Sequence, residues 1–140
     1  LDFGDSLKSV LTSLAYTDVS DEEILIITGN QWFDQSLLEE TSIKNFYFPS
    51  VNYKNFKIFN DNFYKIYNYR PTEISILSYD AIGLIYYAWK RSGEIKSINN
   101  FNFKKDIKGK VGKFNISENK VIQKLRIYKI YDGNFTEYNF

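Results

Sequence analysis

The sequence predicts an α/β protein, a parallel-sheet layered lobe that ends in an antiparallel β hairpin or meander. Three observations lead there. Leu7, Val10, Leu11 and Leu14 recur at helical spacing ahead of a short, non-alternating apolar run, Ile24-Leu25-Ile26-Ile27, the pattern of a parallel strand covered on both faces. Two strongly periodic helices follow, across Tyr53 to Tyr69 and Thr72 to Ser92. The chain then turns to β pattern, with Asp132-Gly133 as a two-residue hairpin signal before a last strand.

Taken in order, Asp5 or Ser6 can cap a helix over residues 6 to 16. Asp18 to Glu23 reads as a polar connection, and the apolar run that follows stops at Thr28-Gly29-Asn30. Gln31 to Lys44 reads as a loop with a short helix at Ser36 to Glu40, and Asn45-Phe46-Tyr47-Phe48 as a second strand ended by Pro49. Phe56, Phe59, Phe63, Ile66 and Tyr67 share one helical face, which Arg70-Pro71 stops.

Thr72 is placed to cap the next helix with Glu73 in its first turn. Ile74, Leu77, Ala81, Leu84, Ile85, Ala88 and Trp89 form its main stripe, and it is expected to end near Ser92-Gly93. A second, largely apolar stripe, Ser75, Tyr79, Ile82 and Tyr86, predicts a central helix buried on two sides. Asn99 to Lys108 reads as a polar connector. Strands are expected at Val111 to Ile116, Val121 to Tyr131 and Asn134 to Tyr138, with a turn at Ser117-Glu118-Asn119.

The chain has 140 residues, 44% hydrophobic and 25% charged, and carries no internal repeat, low-complexity tract or linker. One compact unit over residues 1–140 is expected. Leu1 stands where a start methionine would, and no basic-then-apolar leader follows, so the sequence is expected to begin inside a longer protein. Ile74 to Trp89 is interrupted by Ser75, Ser78 and Asp80 and falls short of the roughly 20 apolar residues that a bilayer crossing needs.

A formal charge of +1 supplies no global field for nucleic acid or an anionic membrane. With no cysteine and no histidine, thiol nucleophiles, disulfides, imidazole acid/base chemistry and His- or Cys-ligated zinc are excluded from this segment. No metal and no cofactor are expected, and the reading is of a protein that is not an enzyme. The aromatic content of 19%, with only three alanines (Ala15, Ala81, Ala88), reads as AT-rich coding bias rather than as base-stacking platforms.

The carboxylates Asp21, Glu22 and Glu23, and the pair Glu39 and Glu40, read as solvated surface charge. Gly109-Lys110-Val111-Gly112-Lys113 lacks the spacing and the following helix of a phosphate loop. Asn115-Ile116-Ser117 and Asn134-Phe135-Thr136 match the glycosylation pattern by chance in an Asn-rich chain.

Two positions stand out. Asp80 lies beside the main stripe, between Leu77 and Leu84, so it is expected to be a partly buried acid with dedicated partners. It either holds a neighbouring helix end or loop, or meets a ligand's ammonium group. Trp32 follows the strand that ends at Gly29, and loops at the carboxyl ends of parallel strands bind ligands in open α/β sheets. It is either such a contact or an aromatic lid over the core.

Five landmarks, in order, resemble the type I periplasmic solute-binding proteins that include the branched-chain amino acid receptors. They are Ile26-Ile27-Thr28-Gly29-Asn30-Gln31-Trp32; Phe46-Tyr47-Phe48-Pro49; the helix Phe59 to Tyr69 before Arg70-Pro71; Ser78-Tyr79-Asp80-Ala81; and Gly109 to Asn115 with Tyr131 to Phe135. Within that superfamily, Leu14-Ala15-Tyr16-Thr17-Asp18-Val19 and Trp32-Phe33-Asp34 look most like the penicillin-binding protein activator branch.

The resemblance implies the C-terminal portion of a two-lobe periplasmic protein that closes on a small polar ligand such as an amino acid. It implies ligand contact at Thr28, Asn30, Trp32 and Tyr79, and an ABC permease as partner. The activator branch implies instead a cell-envelope regulator that touches a peptidoglycan synthase. The segments that clamp the amino acid's carboxylate and ammonium in such receptors belong to their first half, which this sequence does not contain.

Overall fold

The computed structural model describes residues 4–17, 25–39, 45–103 and 105–139. Its elements are α1 (Gly4–Ala15), β1 (Ile26–Ile27), β2 (Phe46–Ser50), α2 (Tyr53–Tyr67), α3 (Glu73–Ser92), β3 (Ile107–Lys108), β4 (Lys113–Ser117), β5 (Lys120–Gln123), β6 (Arg126–Tyr131) and β7 (Asn134–Tyr138), with 3-10 turns at Gln35–Leu38 and Ile98–Phe101. The expected connection from Asp18 to Glu23, the Ile24 end of the first apolar run, and the stretch from Glu40 to Lys44 lie outside the described residues.

The chain clusters into two compact units, one formed by Leu1–Val51 with Leu125–Phe140, the other by Asn52–Lys124. The crossing at Lys124-Leu125 has no Gly, Pro or Ser beside it, and the Pro49-Ser50 pair ahead of Val51-Asn52 lies inside β2. That is why the sequence reads as one unit.

In the first unit the strands lie in the order β1-β2-β6-β7. β1 pairs with β2 in parallel, Ile26 opposite Phe46, while β2·β6 and β6·β7 are antiparallel. Strand alternation sends Phe46 and Phe48 of β2, Tyr128 and Ile130 of β6, and Phe135 of β7 into the core. Leu37 of the 3-10 turn is fully buried, and α1 buries Leu7 and Leu11 but leaves Val10 exposed. The Asp132-Gly133 turn joins β6 to β7 with both residues at positive φ, 49° and 63°, as a type I′ hairpin requires.

Pro49 was expected to end β2; instead it lies inside the strand, opposite Ile127. β1 stops at Ile27, opposite Tyr47, so at Pro49 only the β6 side carries a ladder among the described residues. A residue without an N–H is tolerated there as on an edge.

In the second unit, Asn52 caps α2 by accepting the Asn55 N–H at 2.9 Å, and α2 ends at Asn68 in the left-handed region, φ 58°. That end comes before Arg70-Pro71. Thr72 precedes α3 but makes no side-chain cap; its hydroxyl meets the Ser75 hydroxyl at 3.1 Å instead. Gly93, at φ 76°, terminates α3.

The packing of α3 departs from its expected stripe. Ile76 and Ala88 are buried and Leu84 is partly buried, whereas Ile74 is 74% exposed, Ile82 69% and Trp89 53%. Its sequence is apolar on every side, so periodicity alone cannot say which flank the chain covers. The covered flank faces Phe103, Phe114 and Ile116, with Phe101 and Ile107 packed beside them.

The sheet of this unit, β3-β4-β5, is antiparallel throughout. The strand expected from Val121 to Tyr131 is therefore two strands, β5 and β6, in different sheets, broken at Lys124-Leu125 where the chain crosses between units. Both ends of the second unit are fastened to one short stretch. The Asn52 N–H donates to Val111 O at 3.0 Å and the Lys124 N–H to Lys113 O at 2.9 Å. Among the described residues no helix is long and apolar enough to cross a membrane.

Candidate functional site

The loop that follows β1 is tied down by its own polar groups. The Thr28 N–H donates to Tyr47 O at 3.0 Å, carrying the parallel pairing one residue past β1. Asn30 Oδ1 accepts from the Trp32 N–H at 2.9 Å and from the Ser50 hydroxyl at 2.8 Å, joining the loop to the end of β2. Ser50 is fully buried, so this bond replaces hydration that the hydroxyl has lost. The Gln31 side chain, also buried, donates to Thr28 Oγ1 at 3.2 Å. Thr28, Asn30 and Trp32 are thus brought together in the first unit.

Trp32 and Phe33 both adopt positive φ, 50° and 59°, which costs a residue with a Cβ about 1–2 kcal/mol each. What holds them is Phe33, buried edge-on against Tyr128 at 4.8 Å, Phe135 at 5.4 Å and Phe48 at 5.8 Å. Phe33 is the ring that covers the core, and Trp32 is left partly buried. Of the two roles expected for Trp32, ligand contact or aromatic lid, the lid is supplied by its neighbour Phe33, and nothing in the sequence signals two successive left-handed residues.

Tyr79 and Asp80 are brought together in the second unit. Tyr79 is 55% exposed, with its ring 5.5 Å from that of Phe59 and the Lys110 ammonium 5.4 Å from its centroid. Asp80 Oδ1 accepts the backbone N–H of Lys110 at 2.6 Å, which fastens the turn after β3 to α3. Burial pushes the Asp80 carboxyl above the ordinary aspartate range, opposed by that N–H and by the Lys110 charge. Of the two roles expected of Asp80, holding a neighbouring loop or meeting a ligand's ammonium group, the bond to the Lys110 N–H is of the first kind.

The partner of Asp80 also accounts for Gly109. A Cβ there would stand 2.5 Å from Asp80 Oδ2 and 2.9 Å from Phe114 Cε1, so the carboxylate approaches this backbone only because the residue is glycine. The Gly109 N–H donates to Gly112 O at 2.8 Å, closing the tight turn. The Gly109-Lys110-Val111-Gly112 run is the seat of a partly buried acid.

Beside these groups, within the second unit, lies a cavity of about 1160 Å³. Tyr79, Asp80 and Gly83 of α3 form one side of it, and Phe103, Asp106 and Lys110 are among the residues that line the rest. A hydrogen bond from the Lys124 side chain holds the Asp106 carboxyl below the ordinary range, with the ammonium 2.5 Å away. Asp106 and Phe103 were not singled out by sequence reasoning, and Lys110 entered it only within the run Gly109 to Lys113. Among the described residues, no three His, Cys, Asp or Glu side chains group as metal ligands.

No family model and no curated protein matches this chain. Three solved structures do. A protein assigned as a branched-chain amino acid ABC transporter of Rhodospirillum rubrum aligns with TM-score 0.71 at 13% identity, over 94% of this chain and 41% of its own. The leucine-binding protein LivK of Thermotoga maritima aligns with TM-score 0.65 at 17% identity, over 98% and 42%. An ABC transporter substrate-binding protein of Desulfitobacterium hafniense, solved in complex with Leu, aligns with TM-score 0.64 at 16% identity, over 95% and 40%. This chain spans about two fifths of the length of each. Over that span the chain has the mixed α/β fold of the periplasmic solute-binding proteins of ABC transporters.

Proposed function

We propose that this chain is the C-terminal portion of an extracytoplasmic, non-enzymatic solute receptor that serves an ABC permease and takes a small polar ligand such as an amino acid. The observation that carries the reading is the likeness of nearly the whole chain to three transporter-associated binding proteins, one solved with Leu. Thr28, Asn30, Trp32 and Tyr79 are its ligand contacts. In Asn30 the carbonyl oxygen is committed to the Trp32 N–H and the Ser50 hydroxyl, which leaves the amide nitrogen to meet an acceptor on the ligand.

A ligand that binds only the native state raises the unfolding midpoint. A thermal-shift screen of the full-length protein against the amino acids and their amides is expected to find at least one that does so, with the shift reduced by Asn30→Ala or Tyr79→Ala. A screen in which no ligand moves the midpoint overturns the reading.

The exposed apolar side of α3 favours a second reading, a cell-envelope protein that acts through protein contacts as the penicillin-binding protein activators do. Ile74, Ile82 and Trp89 stand more than half exposed there, as residues of a protein-binding face would. Co-purification that recovers a peptidoglycan synthase, and loses it with Ile82→Lys, supports this second reading; recovery of none counts against it.

A further inference from the structure

Ser50 is at odds with its place in β2. Alternation along the strand turns Phe46, Phe48 and Ser50 to one face, and all three are fully buried. A hydroxyl at such a position is costly unless it is hydrogen-bonded, and an apolar side chain would pack there without that need. Ser50 donates to Asn30 Oδ1 at 2.8 Å, a partner twenty residues back in the chain. That oxygen already accepts the Trp32 N–H at 2.9 Å, so it is satisfied without the serine. What the serine adds is direction: two donors, one from the loop and one from β2, fix the plane of the Asn30 amide where one would leave it free to swing.

The way the amide points follows from its partners. A backbone N–H can only donate, so the atom that meets Trp32 is the oxygen, and Nδ2 is the end turned away. The Thr28 hydroxyl beside it is committed, donating to Gly29 O at 3.1 Å and accepting from Gln31 Nε2 at 3.2 Å. Asn30 Nδ2 and the indole N–H of Trp32 have no partner among the described residues. Both groups are donors only, and both residues are partly exposed. Thr28 to Phe33 contains no carboxylate. Such a loop suits an oxygen acceptor on a solute better than an ammonium group.

We propose, resting on the receptor reading, that Ser50 is a positioning residue: from inside β2 it fixes the Asn30 amide so that Nδ2 meets a carboxylate oxygen of the solute. Ser50 itself is fully buried and touches no solute. It acts through Asn30 alone, and it sets which end of an amino acid this loop takes.

The test is calorimetric titration of the full-length protein with leucine and with 3-methylbutylamine, which is leucine without its carboxylate. Asn30→Asp keeps the oxygen that the Trp32 N–H and the Ser50 hydroxyl need, so the loop stays built, and replaces the donor by an acceptor. It is expected to weaken leucine at least roughly tenfold and to lower the preference for leucine over 3-methylbutylamine by a similar factor. Ser50→Ala is expected to weaken leucine roughly threefold in the wild-type background and not at all in Asn30→Ala, because the serine acts only through the amide. A serine that merely stabilised the fold would lower the thermal midpoint and weaken leucine equally in both backgrounds. That result, or leucine binding indifferent to Asn30→Asp, overturns the inference and leaves the receptor reading standing. A protein that binds no leucine also overturns the inference, and the receptor reading falls with it only when the wider screen of amino acids finds none.

Discussion

In the first unit Phe33 lies within 4.8 to 5.8 Å of the rings of Phe48, Tyr128 and Phe135, all of them buried. In the second, Tyr86, Ile82 and Trp89 of α3 are each more than half exposed. The difference lies in how the two kinds of element hide apolar side chains. A strand presents alternate residues to one face, so β2, β6 and β7 gather their rings on one side, and the loop residue Phe33 closes over them. A helix that is apolar all round needs cover on every side, and on α3, among the described residues, Ile76 and Ala88 are buried and Leu84 is partly buried while most of its other apolar side chains are exposed. In the second unit the aromatic residues thus divide between a core that includes Phe56, Phe59, Phe103 and Phe114 and the exposed side of α3.

This contrast can be broken most severely at Phe48. Phe48→Ala removes a fully buried ring from a four-ring cluster and is expected to cost about 3–5 kcal/mol, read from the denaturant midpoint. A loss below about 1 kcal/mol would mean that the cluster is not the core of the first unit.

Next in size is Gly109→Ala in the second unit, whose new Cβ falls 2.5 Å from Asp80 Oδ2. Overpacking of this kind is expected to cost about 1–3 kcal/mol. Combined with Asp80→Ala the loss should shrink, since the two positions share the contact; equal losses in both backgrounds would place the strain elsewhere.

A smaller effect is expected from the titration of Asp80. Burial raises its folded-state value, so the folded protein holds the proton more firmly than the unfolded chain does. The stabilisation this gives is fully present below the unfolded value of about 3.9 and is lost as pH rises through the folded one. The stability of the wild type relative to Asp80→Asn, which does not titrate, is therefore expected to fall between acid and neutral pH. Thermal midpoints of the two proteins across that range check the sign, and a difference that rises with pH contradicts the buried-acid assignment.

Least is expected at Ile82, which is 69% exposed. Ile82→Gln should change stability by no more than about 0.5 kcal/mol while lowering the binding of a hydrophobic dye. A large loss would show that this side of α3 is covered in solution.

The elements were largely legible because local signals set them. Leucine spacing marked α1, aromatic spacing marked α2, Gly93 stopped α3, and Asp132-Gly133 made the last hairpin. What could not be read depends on residues distant in the chain. Pro49 is accommodated because β1 is short, and the break at Lys124-Leu125 follows from the assignment of β5 and β6 to different sheets. At the candidate site, Asp80 was legible because a carboxylate beside an apolar stripe needs a partner, but the partner lies thirty residues on, at Lys110. The left-handed pair Trp32-Phe33 carried no signal at all, since neither residue type favours that backbone.

The anchoring of Asn52 to Val111 and of Lys124 to Lys113 bears on the order in which the protein folds. The β2·β6 ladder, in which Phe48 meets Tyr128, joins segments separated by the entire second unit, and closing so long a loop is slow and entropically unfavourable. The second unit is one continuous segment and can form without waiting for that closure. Once formed, its ends leave from neighbouring points, so a long flexible loop has become a short bridge. Folding of the inserted segment is therefore expected to lower the entropic cost of pairing β2 with β6.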